Sequence, residues 1–231
     1  DSNHDDLVHV AVKNHSHGFA NEVAHIRKQV SFEKAASGFM VADPLTLYDC
    51  CPTSDGAACV VLAADHVARK LSDTPVWVKG NGAASDYLAL HDRKSSTEVM
   101  ASQRAAKKAY SMSGLTSNDI GLAEVHDCFT IAEVMACEDL GFAKRGEGGL
   151  FAREGRGIIN QGDVAINPSG GLKSKGHPLG STGVGQIVEA FKQLRNEVEP
   201  SRQVRDVEDA LCHNVGGSGA TCAVHILGRE I

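Results

Sequence analysis

No stretch of the chain approaches the run of about twenty apolar residues that a membrane-spanning helix needs. The amino end, DSNHDDLVHV, has neither the basic nor the apolar region of a secretory signal. Basic residues number 23 against 29 acidic ones, and the pI is near 6.0, which excludes the positive field that gathers nucleic acid or anionic lipid. Neither nucleic acid nor a membrane is therefore expected as a partner. No Cys-x-x-Cys occurs, and the adjacent Cys50 and Cys51 cannot easily turn both sulfurs toward one tetrahedral ion, so no metal site is expected. Aromatic residues are few, at 5 %, yet 42 % apolar residues across 231 positions suffice for one large domain or two small ones. The seven cysteines, an odd number, lie in apolar segments such as AACVVL and ATCAVH, as small buried hydrophobes do in a reducing, intracellular compartment.

Five of the eleven histidines, His4, His9, His15, His17 and His25, crowd into the first 25 residues, and the absence of a clear helical period there reads as solvated loop. A weak internal repeat relates Gly56-Ala-Ala-Cys-Val-Val61 to Gly219-Ala-Thr-Cys-Ala-Val224, agreeing at four of six positions. Both copies look like closing strands of related halves. In front of the second copy the pattern predicts a strand around Val76 to Lys79, a helix near Thr97 to Tyr110, a strand over Leu122 to Val125, and a helix over Ile131 to Leu140 that Gly141 ends. A glycine-rich loop, GFAKRGEGGLFAREGRG, follows. Val184, Ile187, Val188, Phe191 and Leu194 then mark the buried face of a long helix, and strands near Asp209 to Cys212 and Thr221 to Leu227 close the chain. Alternating strands and helices imply an α/β fold, with a parallel or mixed sheet covered on both faces. Only about 55 polar, loop-like residues precede the first copy, so if the halves are related, most of a first half is expected to be missing from this chain.

Ligands of open α/β sheets bind beyond the carboxyl ends of the strands. Three segments end there: Val125-His-Asp-Cys-Phe129, Asn167 to Gly180, and Cys212-His-Asn-Val-Gly-Gly-Ser-Gly219. Cys128 opens a helix, whose free N–H groups favour a thiolate and should draw its pKa toward neutrality, within reach of acid/base work. Cys59, Cys137 and Cys222 lie inside regular elements and read as packing residues. His177 precedes Pro178 among the glycines 176, 180, 183 and 185, which leave room for a ligand beside the imidazole. The run Gly180-Ser-Thr-Gly-Val-Gly185 lacks the strand and spacing of a dinucleotide loop. Gly216, Gly217 and Gly219 form a turn able to offer N–H groups to an oxyanion, or simply a tight hairpin.

Gly176-His-Pro178, the tetrapeptide His126-Asp-Cys-Phe129 and the Gly-Gly turn before the last strand together resemble the carboxy-terminal catalytic loops of thiolases. The tetrapeptide stands where that family usually has Asn-Glu-Ala-Phe, and in this it is similar to thiolases of the sterol carrier protein X type; Ser54-Asp-Gly-Ala-Ala58 resembles the end of the family's amino-terminal half. The resemblance covers nearly the whole chain. It implies a thiolase fold with a five-stranded mixed sheet between helices: a loop-domain remainder over residues 1–45, closing strand and linker of the amino-terminal half over 46–74, and a complete carboxy-terminal domain over 75–231.

The implied chemistry is cleavage of a 3-ketoacyl-CoA by CoA, or the reverse Claisen condensation, by a homodimer or tetramer in a mitochondrion or a peroxisome-like organelle, with coenzyme A as substrate and no cofactor. The carboxyl end, GREI, is not a peroxisomal tripeptide. No segment matches the family's nucleophilic cysteine, and its Cys-x-Gly is here Asn214-Val-Gly216. The resemblance then assigns the acid/base to Cys128, the enolate oxygen to His126 and His177, and an oxyanion to the Gly216 N–H. Phe129, Gly176 and Gly217 are expected to contact substrate. The rival readings are a decarboxylating ketoacyl synthase, which also uses two histidines, and a non-catalytic acyl-CoA or lipid-binding subunit.

Overall fold

The computed structural model describes residues 2–230; Asp1 and Ile231, the last residue of the carboxyl-terminal tripeptide, lie outside them. In chain order the elements are α1 (His4–Phe19), α2 (Phe32–Ala36), β1 (Met40–Ala42), β2 (Leu45–Thr46), α3 (Asp65–Leu71), β3 (Trp77–Ser85), α4 (Met100–Ser113), β4 (Leu122–Glu124), α5 (Thr130–Asp139), α6 (Gly148–Arg153), β5 (Ala165–Ile166), α7 (Gly171–Ser174), α8 (Thr182–Leu194), β6 (Asp209–Gly216) and β7 (Thr221–Gly228). Five strands make one mixed sheet in the order β3-β7-β6-β4-β5, with β4 parallel to β5 and β6 and the other pairs antiparallel.

Alternation along the strands sends neighbouring residues to opposite faces. Ala123, Leu211 and Ile226 join a core with α4 and α5, whereas Leu122, Ala210 and Leu227 join a second core with Ala190 and Leu194 of α8. The sheet is thus covered by helices on both sides. Close approach on the first face depends on small residues. Cβ atoms placed on Gly80 and Gly82 would lie 2.3 and 2.0 Å from carbonyl oxygens of Ala109 and Ala105, so only glycine on β3 admits the alanine face of α4. The helix stops at Gly114, whose φ of +74° favours glycine.

Four sequence expectations change. His25 is exposed as expected, whereas His4, His9, His15 and His17 lie not in a solvated loop but on the sixteen-residue α1, opened by a capping box between Asn3 and Asp6. Its buried residues include Asp6, Lys13, Asn14, His15 and His17, so polar pairing holds it and no apolar period betrays it. The first copy of the repeat forms no strand: residues 54–64 are unpaired, and Val61 and Leu62 are 91 % and 79 % exposed, because no neighbouring strand supplies hydrogen-bond partners. The glycine-rich segment contains α6, whose Phe151 is buried. On α8 the expected apolar face is only partly inward: Leu194 is buried and Ile187 packs against its core. Gln186, Glu189 and Gln193 are buried as well, bonded to the His213 carbonyl and to Arg202, while Val184, Val188 and Phe191 stay partly or largely exposed.

Candidate active site

The parallel strands β4, β5 and β6 deliver three loops to one edge of the sheet. There a cavity of about 1080 Å³ is lined by, among others, His126, Cys128, Phe129, His177, Asn214, Gly216 and Gly217. The rings of His126 and His177 meet edge to face with centroids 4.9 Å apart and planes at 86°. Residues up to 91 positions apart in the chain are thus brought together by the sheet's topology.

Hydrogen-bond direction assigns the tautomers. The Thr182 hydroxyl donates to the Pro178 carbonyl at 3.0 Å, so toward His177 it accepts, and His177 Nδ1–H donates to it at 2.8 Å. The lone pair of His177 Nε2 is then free for an incoming proton. Burial, and the nearby Lys175 cation, lower the His177 pKa and keep the ring neutral. His126 lies 2.7 Å by Nδ1 from Asn214 Oδ1 and so carries its proton there. Burial lowers it to about 4, with His177 adding in the same direction against the Asn214 bond. Its Nε2 is likewise an acceptor, suited to hold a water hydrogen.

Cys128 does not behave as its place before a helix suggests. Phe129 is the cap of α5 and Thr130 its first residue, which sets the thiol outside the first turn. Burial, the adjacent Asp127 carboxylate and Cys51 push it up to about 11. At neutral pH this is a thiol with a proton to give. Phe129 is 41 % exposed at the cavity mouth. Gly216 and Gly217 stand on the wall where β6 turns into β7, and Gly217 has a φ of +56°. Gly176 is not on the wall. A Cβ there would lie 2.5 Å from Ser54 Oγ, so its bareness admits Ser54, which accepts the His177 N–H at 3.3 Å, rather than substrate.

Several site residues carry no sequence signal of their own. His213, fully buried, accepts the His126 N–H at 3.4 Å and donates through Nε2 to Ser102 Oγ at 2.8 Å, tying β6 to α4. Cys51 N–H donates to the Cys128 carbonyl at 3.0 Å, and Thr53 pairs with His177 in a single parallel bridge. One strip of chain, residues 50–54, therefore touches both histidine loops. The motif at Ser54 was the only sequence feature pointing to it. Among the described residues, no group of three or more His, Cys, Asp or Glu side chains could hold a metal ion.

With fold and site in view, the chain's class is defined: the family model for the thiolase C-terminal domain-like family matches residues 82–229, and the chain belongs to that family. It is 48 % identical over 223 residues to an acetyl-CoA acetyltransferase of Methanothermobacter thermautotrophicus, covering 96 % of this chain and 58 % of that protein. It is 39 % identical over 213 residues to sterol carrier protein 2 of Oryctolagus cuniculus, covering 90 % of this chain and 39 % of that one. A solved structure described as an Ltp2-ChsH2(DUF35) aldolase superimposes with a TM-score of 0.86 at 27 % identity, over 98 % of this chain and 59 % of the other. The chain thus spans about half the length of the relatives it matches.

Proposed function

We propose that the protein to which this chain belongs is a thiolase-type acyltransferase. It cleaves 3-ketoacyl-CoA with CoA, or runs the reverse Claisen condensation, through an acyl-enzyme whose nucleophilic cysteine lies outside these residues. The observation that carries this reading is the edge-to-face pair of His126 and His177 beside a protonated Cys128 in one cavity. In the cleavage direction, His177 Nε2 takes the proton of the nucleophilic thiol, and the thiolate attacks the C3 carbonyl. The C2–C3 bond breaks, its electrons passing to C2 and the thioester oxygen as an enolate. Cys128 gives its proton to C2 and releases acetyl-CoA. The incoming CoA thiol then reprotonates Cys128 as its sulfur takes the acyl group, and the departing enzyme thiolate recovers its proton from the His177 imidazolium. Until then the His177 imidazolium has an Nε2–H to donate, and with a water held by His126 it stabilises the enolate oxygen, while the Gly216 N–H serves the other oxyanion.

Phe129 and Gly217, at the mouth and wall, are proposed to contact the acyl-CoA, and the working unit is proposed to be a homodimer or tetramer in an organelle. The test uses the full-length protein. Acetoacetyl-CoA alone should leave an acetyl adduct visible by intact mass, and added CoA should discharge it. The isolated 231-residue chain should do neither. A second reading, carbon–carbon cleavage without an acyl-enzyme, is favoured by the likeness to an aldolase structure; turnover of a 3-hydroxyacyl-CoA with no adduct would select it.

A further inference from the structure

Between His126 and Cys128 stands Asp127, wholly buried and absent from the cavity wall. Three donors converge on its two oxygens. Leu172 N–H reaches Oδ1 at 2.7 Å, while Lys173 N–H at 3.3 Å and the Asn14 amide at 2.8 Å reach Oδ2. Leu172 and Lys173 belong to α7, which hands the chain through Lys175 directly to Gly176 and His177. A Cβ on Gly171 would lie 2.3 Å from Oδ2, so the carboxylate reaches α7 only because glycine is there.

We propose that Asp127 is a positioning residue that fixes the His126–Cys128 loop against the His177 loop, and so sets the contact between the two rings. This rests on the two histidines working as one site. Among the described contacts, the strip at residues 50–54 joins the loops through an intermediary, whereas Asp127 joins them directly. Its support is itself anchored. The Asn14 amide also donates to Glu133 Oε2 at 2.8 Å, that oxygen accepts the Asn167 amide at 2.8 Å, and Lys13 lies 3.1 Å from Glu133 Oε1. Helices α1, α5 and α7 and the loop after β5 therefore share one buried polar cluster. Burial and Glu133 push the Asp127 carboxyl upward, while the Leu172 N–H and Lys13 oppose them. Since every hydrogen aimed at its oxygens is donated to it, the carboxylate is the form that fits. The same charge helps to keep Cys128 protonated.

Asp127→Asn in the full-length protein is close to isosteric, yet it sets an amide nitrogen against donors at one of the two oxygen positions. Acyl-enzyme formation, which needs His177, and exchange of acetyl-CoA α-protons, which needs Cys128, should both fall by roughly ten- to a hundredfold with little change in KM. Alkylation of Cys128 by iodoacetamide, followed on its own peptide, should begin at lower pH once the carboxylate is gone. Asn14→Ala, a change outside both loops, removes one of the three donors to Asp127 together with the bond to Glu133 and should slow both steps less; it carries the comparison if Asp127→Asn does not fold. Slowing of one step alone, or a lower melting temperature with both steps and the alkylation profile intact, overturns the proposal. Should the wild-type protein form no acyl-enzyme, the acyltransferase reading falls instead. The imidazole resonances of His126 and His177 then decide: both must move in Asp127→Asn for the proposal to stand.

Discussion

The proton inventory of Cys128 is the point at which residue-scale physics constrains the reaction. A thiol pushed up to about 11 keeps its proton at neutral pH, and it is still a far stronger acid than the α-carbon of a thioester, so it can deliver that proton to an enolate carbon. Cys128→Ala in the full-length enzyme should still become acylated, since that step uses His177 and another cysteine. It should lose about a hundredfold or more in exchange of acetyl-CoA α-protons with deuterated solvent. Normal exchange would return Cys128 to the status of a packing residue. The identity of this residue was legible in its motif, but its ionisation was not. The helix that promised a lowered pKa begins two residues later, and the buried charge of Asp127 acts from the other side. Asp127 and His213 were invisible for a related reason. Their partners, Asn14, Leu172, Lys173 and Ser102, lie 45 or more positions away in every case, and nothing local marks them.

At the scale of elements, α1 holds two histidines that folding keeps neutral. Burial, with Lys173 nearby, lowers His15 to about 4, and burial, with Lys13 nearby, lowers His17 to about 3, from 6.5. The ring of His17 is used at both nitrogens, lying 3.1 Å by Nδ1 from the Asn167 carbonyl and accepting the Ile159 N–H at 3.3 Å. Above pH 6.5 these groups are neutral in both folded and unfolded chains, and their contribution to stability is complete. As pH falls below that value the unfolded chain binds protons that the folded helix refuses, and stability drops until the folded values are reached. Urea midpoints measured across this range should fall with pH, and His17→Gln should flatten the slope; an unchanged slope would remove α1 from the acid response. Strands β3, β4, β6 and β7 and helices α4, α5 and α8 were legible because they repeat with apolar period, whereas β5, two residues long, was not. Helix α1 was not, since its buried face is Asp, Lys, Asn and His, although Asn3 three residues before Asp6 was a capping signal available for reading. On α8 the period was found but the face was displaced, because Gln186, Glu189 and Gln193 are buried beside Ala190 and Leu194.

For the whole molecule, the five-stranded sheet and both its cores lie after residue 75, yet the site draws on what precedes it. A chain begun at residue 75 lacks Asn14, Cys51, Thr53 and Ser54; the longer chain should give a single set of His126 and His177 imidazole resonances, and the shorter one should lose it whether or not its sheet forms. Retention of that set would show that the sheet alone orders the loops. The expected boundary at residue 75 describes where the alternating pattern starts, and pattern reports regular elements rather than the irregular strip that braces them.

The parallel bridge between Thr53 and His177 therefore separates two things that usually travel together. The segment that the family model matches is residues 82–229. It is not a unit of assembly, because the stretch ahead of it supplies the buttress for its own histidine. Anyone transplanting these loops onto another scaffold would carry over the reactive groups and leave behind the mortar, unless the short strip from Cys50 to Ser54 is moved with them.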